Sequence, residues 1–206
     1  MVANNIVFRN TTELAEWIFN IIKIRIVLAI IIQITPVSPG EELSTMGDWV
    51  LGISALAMVL LNITGGILFL RWIYLSCINS ILTGAKNMNF SPGWSVGWLF
   101  IPIMNLFMPF RVMKEIWKTS KNSEDWESLE TPKIIIWWWF LYLSSNVVSN
   151  TALRANFGTI QIPFELVTIN LLDAVFAIAY WVIQMKLIKE ITEMQNQTYQ
   201  TKEGNK

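Results

Sequence analysis

Asp173 stands inside the apolar run "FELVTINLLDAVFAIAYWVIQMKLI", and Asn170, Ala177, Tyr180 and Gln184 recur around it at helical spacing. An ionisable group in such a run is costly in lipid, so its default reading is functional: one step in a pathway for an ion, a proton or a small solute. The competing reading is glue between helices, an Asp that is neutral or bonded to an Asn across a packing seam, where such bonds contribute about 1 kcal/mol. The midpoints of two other apolar runs put Asn62 and Asn146 at a similar depth. Asn62, Asn146, Asn170 and Asp173 therefore form a candidate intramembrane polar cluster.

A second set lies in "SPGWSVGWLFIPIMNLFMPFRVMKEIW". Arg111, Lys114, Glu115 and Lys118 share one helical face, while Val112, Met113, Ile116 and Trp117 can turn to an apolar side, the pattern of a helix lying on a membrane surface. Trp94, Trp98, Pro102, Asn105 and Pro109 line another stripe, with the Asn amide placed to bond carbonyls that proline leaves unpaired. Basic residues here suit anionic lipid headgroups, each contributing about 1 kcal/mol near the surface. Arg71 joins this set, either on lipid phosphate or bracing the segment through Glu115. Structural capping of a kink and ordinary topology determination are the plainer readings of these residues.

The absences narrow the chemistry further. The chain has no histidine and one cysteine, Cys77, so a histidine base, a zinc cluster and an internal disulfide are excluded within it. No nucleophile, base or metal constellation appears, and the acidic residues Glu124, Asp125, Glu127 and Glu130 lack metal-ligand spacing. The expectation is a protein without catalytic residues, metal or cofactor. Basic and acidic residues balance, which gives no reason to expect nucleic acid.

The elements that carry these residues are helices in lipid. Apolar residues make up 53% of the chain and charged ones 15%, a balance that places it among integral membrane proteins. Spans are expected at about 18–35, 49–73, 133–155 and 163–188. The first contains Lys23 and Arg25, which are expected to snorkel to the near interface; an interfacial amphipathic helix is its alternative. It follows a long charged stretch and reads as an uncleaved anchor. Thr12 is its expected N-cap, Thr131 and Pro132 the cap and first residue of the third span, and Pro163 the opening of the last. The second span is expected to continue helically to a stop at Gly84. "TPVSPGEELSTMGD" reads as an exposed hairpin loop, and 194–206 as a polar, frayed tail after a single membrane domain, 1–193. Gly65 and Gly66 mark close packing between helices.

Trp94 to Phe110 is long enough to approach the bilayer thickness at about 25 Å. Charge decides whether it crosses. If only the four spans cross, fourteen of the fifteen Lys and Arg residues fall on one side, with Arg154 alone opposite, and that side is cytoplasmic by the positive-inside rule. A crossing would move Arg111 to Lys133 outside and collapse the bias. Residues 92–119 therefore read as one kinked re-entrant or interfacial helix, shielded by protein or water where its backbone breaks.

"FLRWIYLSCINSI", "FSPGWSVGWLFIPIMNLFMPFRVMKEIWKTS" and "WWWFLYLSSNV" together resemble domain-of-unknown-function family 4328, from roughly Phe69 to Asn146. The run of Ser91, Pro92, Gly93 and Trp94, then Gly97, Trp98, Pro102, Asn105, Pro109, Glu115 and Trp117, carries the resemblance. It implies a bacterial polytopic membrane protein and no particular reaction. The chain departs from the family's pattern after Trp72, where "YLSCINS" is uncharged.

The reading is an all-α integral membrane protein of the bacterial cytoplasmic membrane, with four transmembrane helices and both termini cytoplasmic. Its leading function is a non-enzymatic module that binds membrane lipids, a membrane protein partner or a second copy through the kinked tryptophan-rich segment. The rival is a transporter or channel component built on Asp173. Impermeant labelling of single-cysteine variants at Lys114 and Lys121 should place both on the same membrane face as the amino terminus; labelling from the opposite face would overturn the topology.

Overall fold

The computed structural model describes residues 7–35, 46–161 and 165–204; the expected hairpin loop around Glu41 and Glu42, and Pro163, lie outside the described residues. Those described form six α-helices: α1 (Thr12–Ile34), α2 (Met46–Leu82), α3 (Pro92–Gly97), α4 (Met108–Lys121), α5 (Lys133–Asn156) and α6 (Leu166–Gly204). Three of them, α1, α2 and α6, are long and apolar enough to cross a membrane. The expected fourth span, α5, has the length for it, about 36 Å at helical rise, but a more polar composition. Much of that polarity is satisfied within the helix: Asn146 Nδ2 donates to Tyr142 O at 2.7 Å, Asn150 Nδ2 to Asn146 O at 2.8 Å and Thr151 Oγ1 to Val147 O at 2.9 Å. Side chains that bond their own backbone present less unmet polarity than their residue types suggest.

The long helices pack as a row. α1 lies between α2 and α6, and α5 packs on the other side of α6, so α2 and α5 share no packing seam. All four are tied together at one end, where α1 starts, α2 ends, α5 starts and the last third of α6 runs. There Ile18, Ile22, Trp72, Met113, Ile135, Trp138, Leu187 and Ile191 form the core, each nearly or wholly buried. This end carries most of the basic residues and is called the basic end below. Among the described residues the opposite end of the bundle carries no comparable core, and large apolar side chains there, among them Leu56, Leu60 and Val175, are exposed as lipid-facing positions would be.

The basic end is held by polar as well as apolar contacts. α6 does not fray after residue 193, as the composition suggested, but continues to Gly204 with Gln195 wholly buried among α2 and α4. Gln195 Nε2 donates to Ser76 O at 2.9 Å and Ser120 Oγ at 3.0 Å, and its Oε1 accepts from Asn79 Nδ2 at 3.3 Å. Asn79 also exchanges bonds with the backbone of Arg9, donating at 2.8 Å and accepting at 3.1 Å, which fastens the chain before α1 to α2. Thr119 Oγ1 donates to Ser80 Oγ at 2.8 Å, and Trp72 Nε1 to Thr192 Oγ1 at 3.1 Å.

The helix ends largely follow the expected signals. α2 stops where anticipated, with Gly84 at φ +100°, and Lys202 Nζ donates to Thr83 O at 2.6 Å, capping the negative end of α2. At α1 the cap residue is Thr11, whose side chain makes no capping bond, and Thr12 is the first helical residue rather than the cap; Asn10 Oδ1, just before, accepts from Thr12 N at 2.9 Å. Pro132 occupies the cap position of α5, so that helix starts one residue later than expected.

Removing the Gln195 amide breaks its buried hydrogen bonds and leaves a cavity between α2, α4 and α6, while Ser76 O, Ser120 Oγ and Asn79 Nδ2 keep their bonds to Ser80 Oγ, Ile116 O and Arg9 O. Gln195→Ala should lower stability by about 1–3 kcal/mol, read as a fall in the detergent-solubilised unfolding midpoint. An unchanged midpoint would show that the tail does not hold the bundle.

Candidate functional site

The segment after α2 is two helices and a connection rather than one kinked helix. Pro92 and Pro109 each fall in the first turn of a helix, where a missing N–H costs nothing, and Ser91 Oγ accepts from Trp94 N at 3.4 Å to open α3. Between α3 and α4 run two 3-10 turns, Trp98–Phe100 and Met104–Leu106, with Pro102 in the turn that joins them. The kink carbonyl of Ile101 is bonded by the backbone N–H of Asn105 at 2.8 Å, not by its side-chain amide.

Inside this connection the apolar side chains are turned outward. Phe100 is 72% exposed, Ile103 70% and Phe107 60%, and Trp94, tilted against Trp98 at 4.7 Å, is 54% exposed. Trp98 itself is half-buried against the core. α4 behaves differently from a surface-lying helix: Val112, Met113 and Ile116 face the protein core, covered by α2, α5 and α6 rather than by lipid. Arg111 stays exposed and Lys114 half-buried, but Glu115 and Lys118, expected on the same polar face, are buried.

Glu115 and Trp117 are structural here. Glu115 Oε1 accepts from Asn89 N at 2.6 Å and Phe90 N at 3.3 Å, and Oε2 from Asn89 Nδ2 at 3.2 Å, so the carboxylate caps the loop that leads into α3. Trp117 Nε1 donates to Glu190 Oε1 at 3.0 Å. Glu115 is thus not braced by Arg71, which is exposed on a separate groove of about 840 Å³ with Arg9, Glu13, Trp17 and Tyr74. Cys77 is fully buried with Sγ donating toward Phe90 O at 3.5 Å, which makes it a packed side chain, not an accessible nucleophile.

The four residues of the expected intramembrane cluster do line one cavity. It holds about 960 Å³ on the concave side of the helix row, between α1, α2, α5 and α6, and Asn62, Asn146, Asn170 and Asp173 all border it. They do not bond one another. Asp173 Oδ1 accepts from the Ser149 hydroxyl, Asn170 Oδ1 from Asn156 Nδ2 at 2.8 Å, and Asn146 bonds its own helix. Nor are they level. Contacts between Gly65 and Arg25, and between Arg25 and Trp181, set Asn62 near the height of Ile178, about 7–8 Å along the axis from Asp173. The polar groups descend from a mouth at Asn156 and Asn170 to a floor at Trp181 and Gln184, beyond which the packed core closes the basic end.

The group that residue-by-residue reading misplaces is Arg25. Expected to snorkel outward, it instead turns inward: its guanidinium carbon sits 4.3 Å from the centre of the Trp181 ring, and it borders the cavity. Gly65 lets α2 approach α1 closely, since a Cβ there would come within 3.2 Å of Ile21 Cγ2, and Arg25 Nη1 lies beside it at 3.8 Å. Among the described residues no carboxylate lies within ion-pair distance of it, and its Nε is buried without a hydrogen-bond partner. Stacking of a desolvated cation on Trp is worth about 2 kcal/mol, against a cost of about 2.5–3.5 kcal/mol for Arg at mid-bilayer on insertion scales. Lys23, by contrast, is exposed as anticipated and donates to Asn20 Oδ1 at 3.3 Å. The signal for Arg25 was its position: two residues after Lys23, it falls on a different face of the helix. Gln33, Thr35, Ser145, Ser149, Asn156 and Gln184 add to the polar lining, and of these only Gln184 stood on the polar stripe read from α6.

A family model described as "Domain of unknown function (DUF4328)" matches residues 37–193. The matched part includes the kinked connection and the α2, α5 and α6 walls of the cavity; α1, with Arg25, lies outside it. No curated protein and no solved structure matches the chain.

Burial holds the Glu115 carboxyl above the usual range, against the opposing pull of the Asn89 and Phe90 donors and of Arg111. A carboxyl whose folded-state value exceeds its unfolded value favours the protonated folded form, so stability falls as pH rises from the ordinary glutamate range upward through the folded value. Glu115→Gln should flatten that fall in unfolding midpoints measured from pH 4 to pH 8. An equal slope in both proteins would show that the carboxyl is not held in its buried environment.

Proposed function

Because the chain belongs to the DUF4328 family, whose members carry no assigned reaction, we propose from geometry that it is a non-enzymatic, lipid-binding protein of a bacterial cytoplasmic membrane. α1, α2, α5 and α6 cross the bilayer with the basic end and both termini in the cytoplasm. The connection between α3 and α4 dips into the cytoplasmic leaflet and returns, carrying Phe100, Ile103 and Phe107 into the acyl region, while Arg111 and Lys114 meet anionic headgroups. The cavity receives an amphiphile from the membrane.

The observation that supports this reading is the convergence of polar side chains from four helices on one cavity whose side between α2 and α5 has no packing seam. A polar head can be satisfied inside, and acyl chains can leave sideways into lipid. Polar groups lining an apolar-walled pocket of this size are the usual composition of a small-molecule site.

Transport is the second reading, favoured by the descent of polar groups from the mouth past Asp173 to the floor. It requires the packed core beneath Trp181 to open. In reconstituted vesicles, an ion or solute flux that falls on Asp173→Asn would favour it.

Lipid retained through purification tests the leading reading. Wild type should carry tightly held lipid by native mass spectrometry, and Asn62→Leu with Asn146→Leu should release most of it while the protein stays folded. Wild type without retained lipid, or a double variant that holds as much as wild type, would overturn the assignment of the cavity.

A further inference from the structure

Arg25 is placed where a ligand group is missing. Its guanidinium offers five N–H donors in a rigid fork; Nε is buried without a hydrogen-bond partner, and among the described residues no carboxylate forms an ion pair with the group. The ring of Trp181 covers one flat face at 4.3 Å. Stacking takes up a guanidinium face and leaves the in-plane donors, which are the ones that bind planar or tetrahedral oxyanions. Arg25 borders the cavity, with Nη1 beside Gly65 of α2.

The one carboxylate that borders the cavity among the described residues, Asp173, does not neutralise this charge. It is engaged by Ser149 and stands on α6 eight residues from Trp181, about 12 Å along the axis. Arg25 and Asp173 are therefore two separate stations, a cation at the floor and an acid nearer the mouth. A negative ligand is drawn to the floor and away from the mouth, which orients it head down.

We infer that Arg25 is the anion-binding residue of the cavity: stacked on Trp181, it takes the phosphate or carboxylate group of the ligand through its in-plane N–H donors. This deepens the lipid-binding reading above and rests on it for the ligand's apolar part. The same donors would also accept free inorganic phosphate, and the experiment separates the two sources. α1, which carries Arg25, lies outside the family match, so the assignment does not rest on the family.

The test uses the full chain in nanodiscs, with wild type, Arg25→Gln and Arg25→Lys compared by native mass spectrometry. The probes are dioleoyl phosphatidylglycerol, dioleoylglycerol, which lacks the phosphate, and inorganic phosphate alone. Wild type should retain phosphatidylglycerol over dioleoylglycerol by about tenfold, as one strong charge-assisted contact gives. Arg25→Gln should abolish that preference while still holding dioleoylglycerol, and Arg25→Lys, with its charge but no fork, should keep part of it. Phosphate that binds wild type but not Arg25→Gln, with no lipid headgroup preference, would identify a free anion as the source. An Arg25→Gln protein that keeps the preference overturns the inference. If Arg25→Gln does not fold, a wild type indifferent to both headgroup and phosphate overturns it equally. Retention of lipid without headgroup preference and without phosphate binding refutes the anion site alone, whereas absence of any retained lipid also removes the reading it rests on.

Discussion

Buried amide and hydroxyl groups at the basic end must find their partners inside the protein, and the Gln195 side chain is where those demands meet. It joins the extension of α2 beyond its apolar run to α4 and to the last third of α6, three elements that no apolar periodicity links. In a low-dielectric interior such a network fixes one arrangement, because any shift in register strands several donors at once. The polar seam and the tryptophan-rich core beside it, Trp72 and Trp138 among them, make the basic end the rigid part of the molecule.

That rigidity at one end leaves room at the other. Helices bolted together through α4 need not pack along their whole length, and α2 and α5 do not. A cavity on the concave side of the row is the geometric result, and its floor is the top of the packed core. The same fastening explains why residues 92–121 stay at the basic end: α4 is held in the core by Val112, Met113 and Ile116 and by the Thr119 bond to Ser80, so only the connection before it projects outward. The exposed Phe100, Ile103 and Phe107 are what remains of the segment once its helices are used for packing.

Charge is then distributed by the scaffold rather than by local preference. Glu115 is spent on capping the loop before α3, and Lys202 on the end of α2, so neither is available to a ligand. Arg25 is the opposite case, a cation supported on one face by Trp181 and unmatched by any carboxylate among the described residues. A site that is electrostatically incomplete inside an apolar setting is where a ligand's charge has most effect, since little solvent screens it.

Much of this architecture was written in the residues themselves. The apolar runs, the glycine stop at Gly84, the helix-opening prolines and the family resemblance all act locally, through chain conformation and transfer to lipid, and they fix the helices and their membrane character. Even the polar residues Asn62, Asn146, Asn170 and Asp173 were identifiable, since a polar side chain in an apolar run stands out without knowledge of its neighbours. What periodicity could not supply was partnership. Whether Arg25 turns toward the interface or toward Trp181, whether Asp173 bonds an Asn or Ser149, and whether the polar stretch after residue 193 frays or buries Gln195 depend on which helices are adjacent and at what height. Those are properties of packing between residues as much as 186 positions apart in the chain, as Asn10 and Asn196 are, and only the tertiary structure decided them.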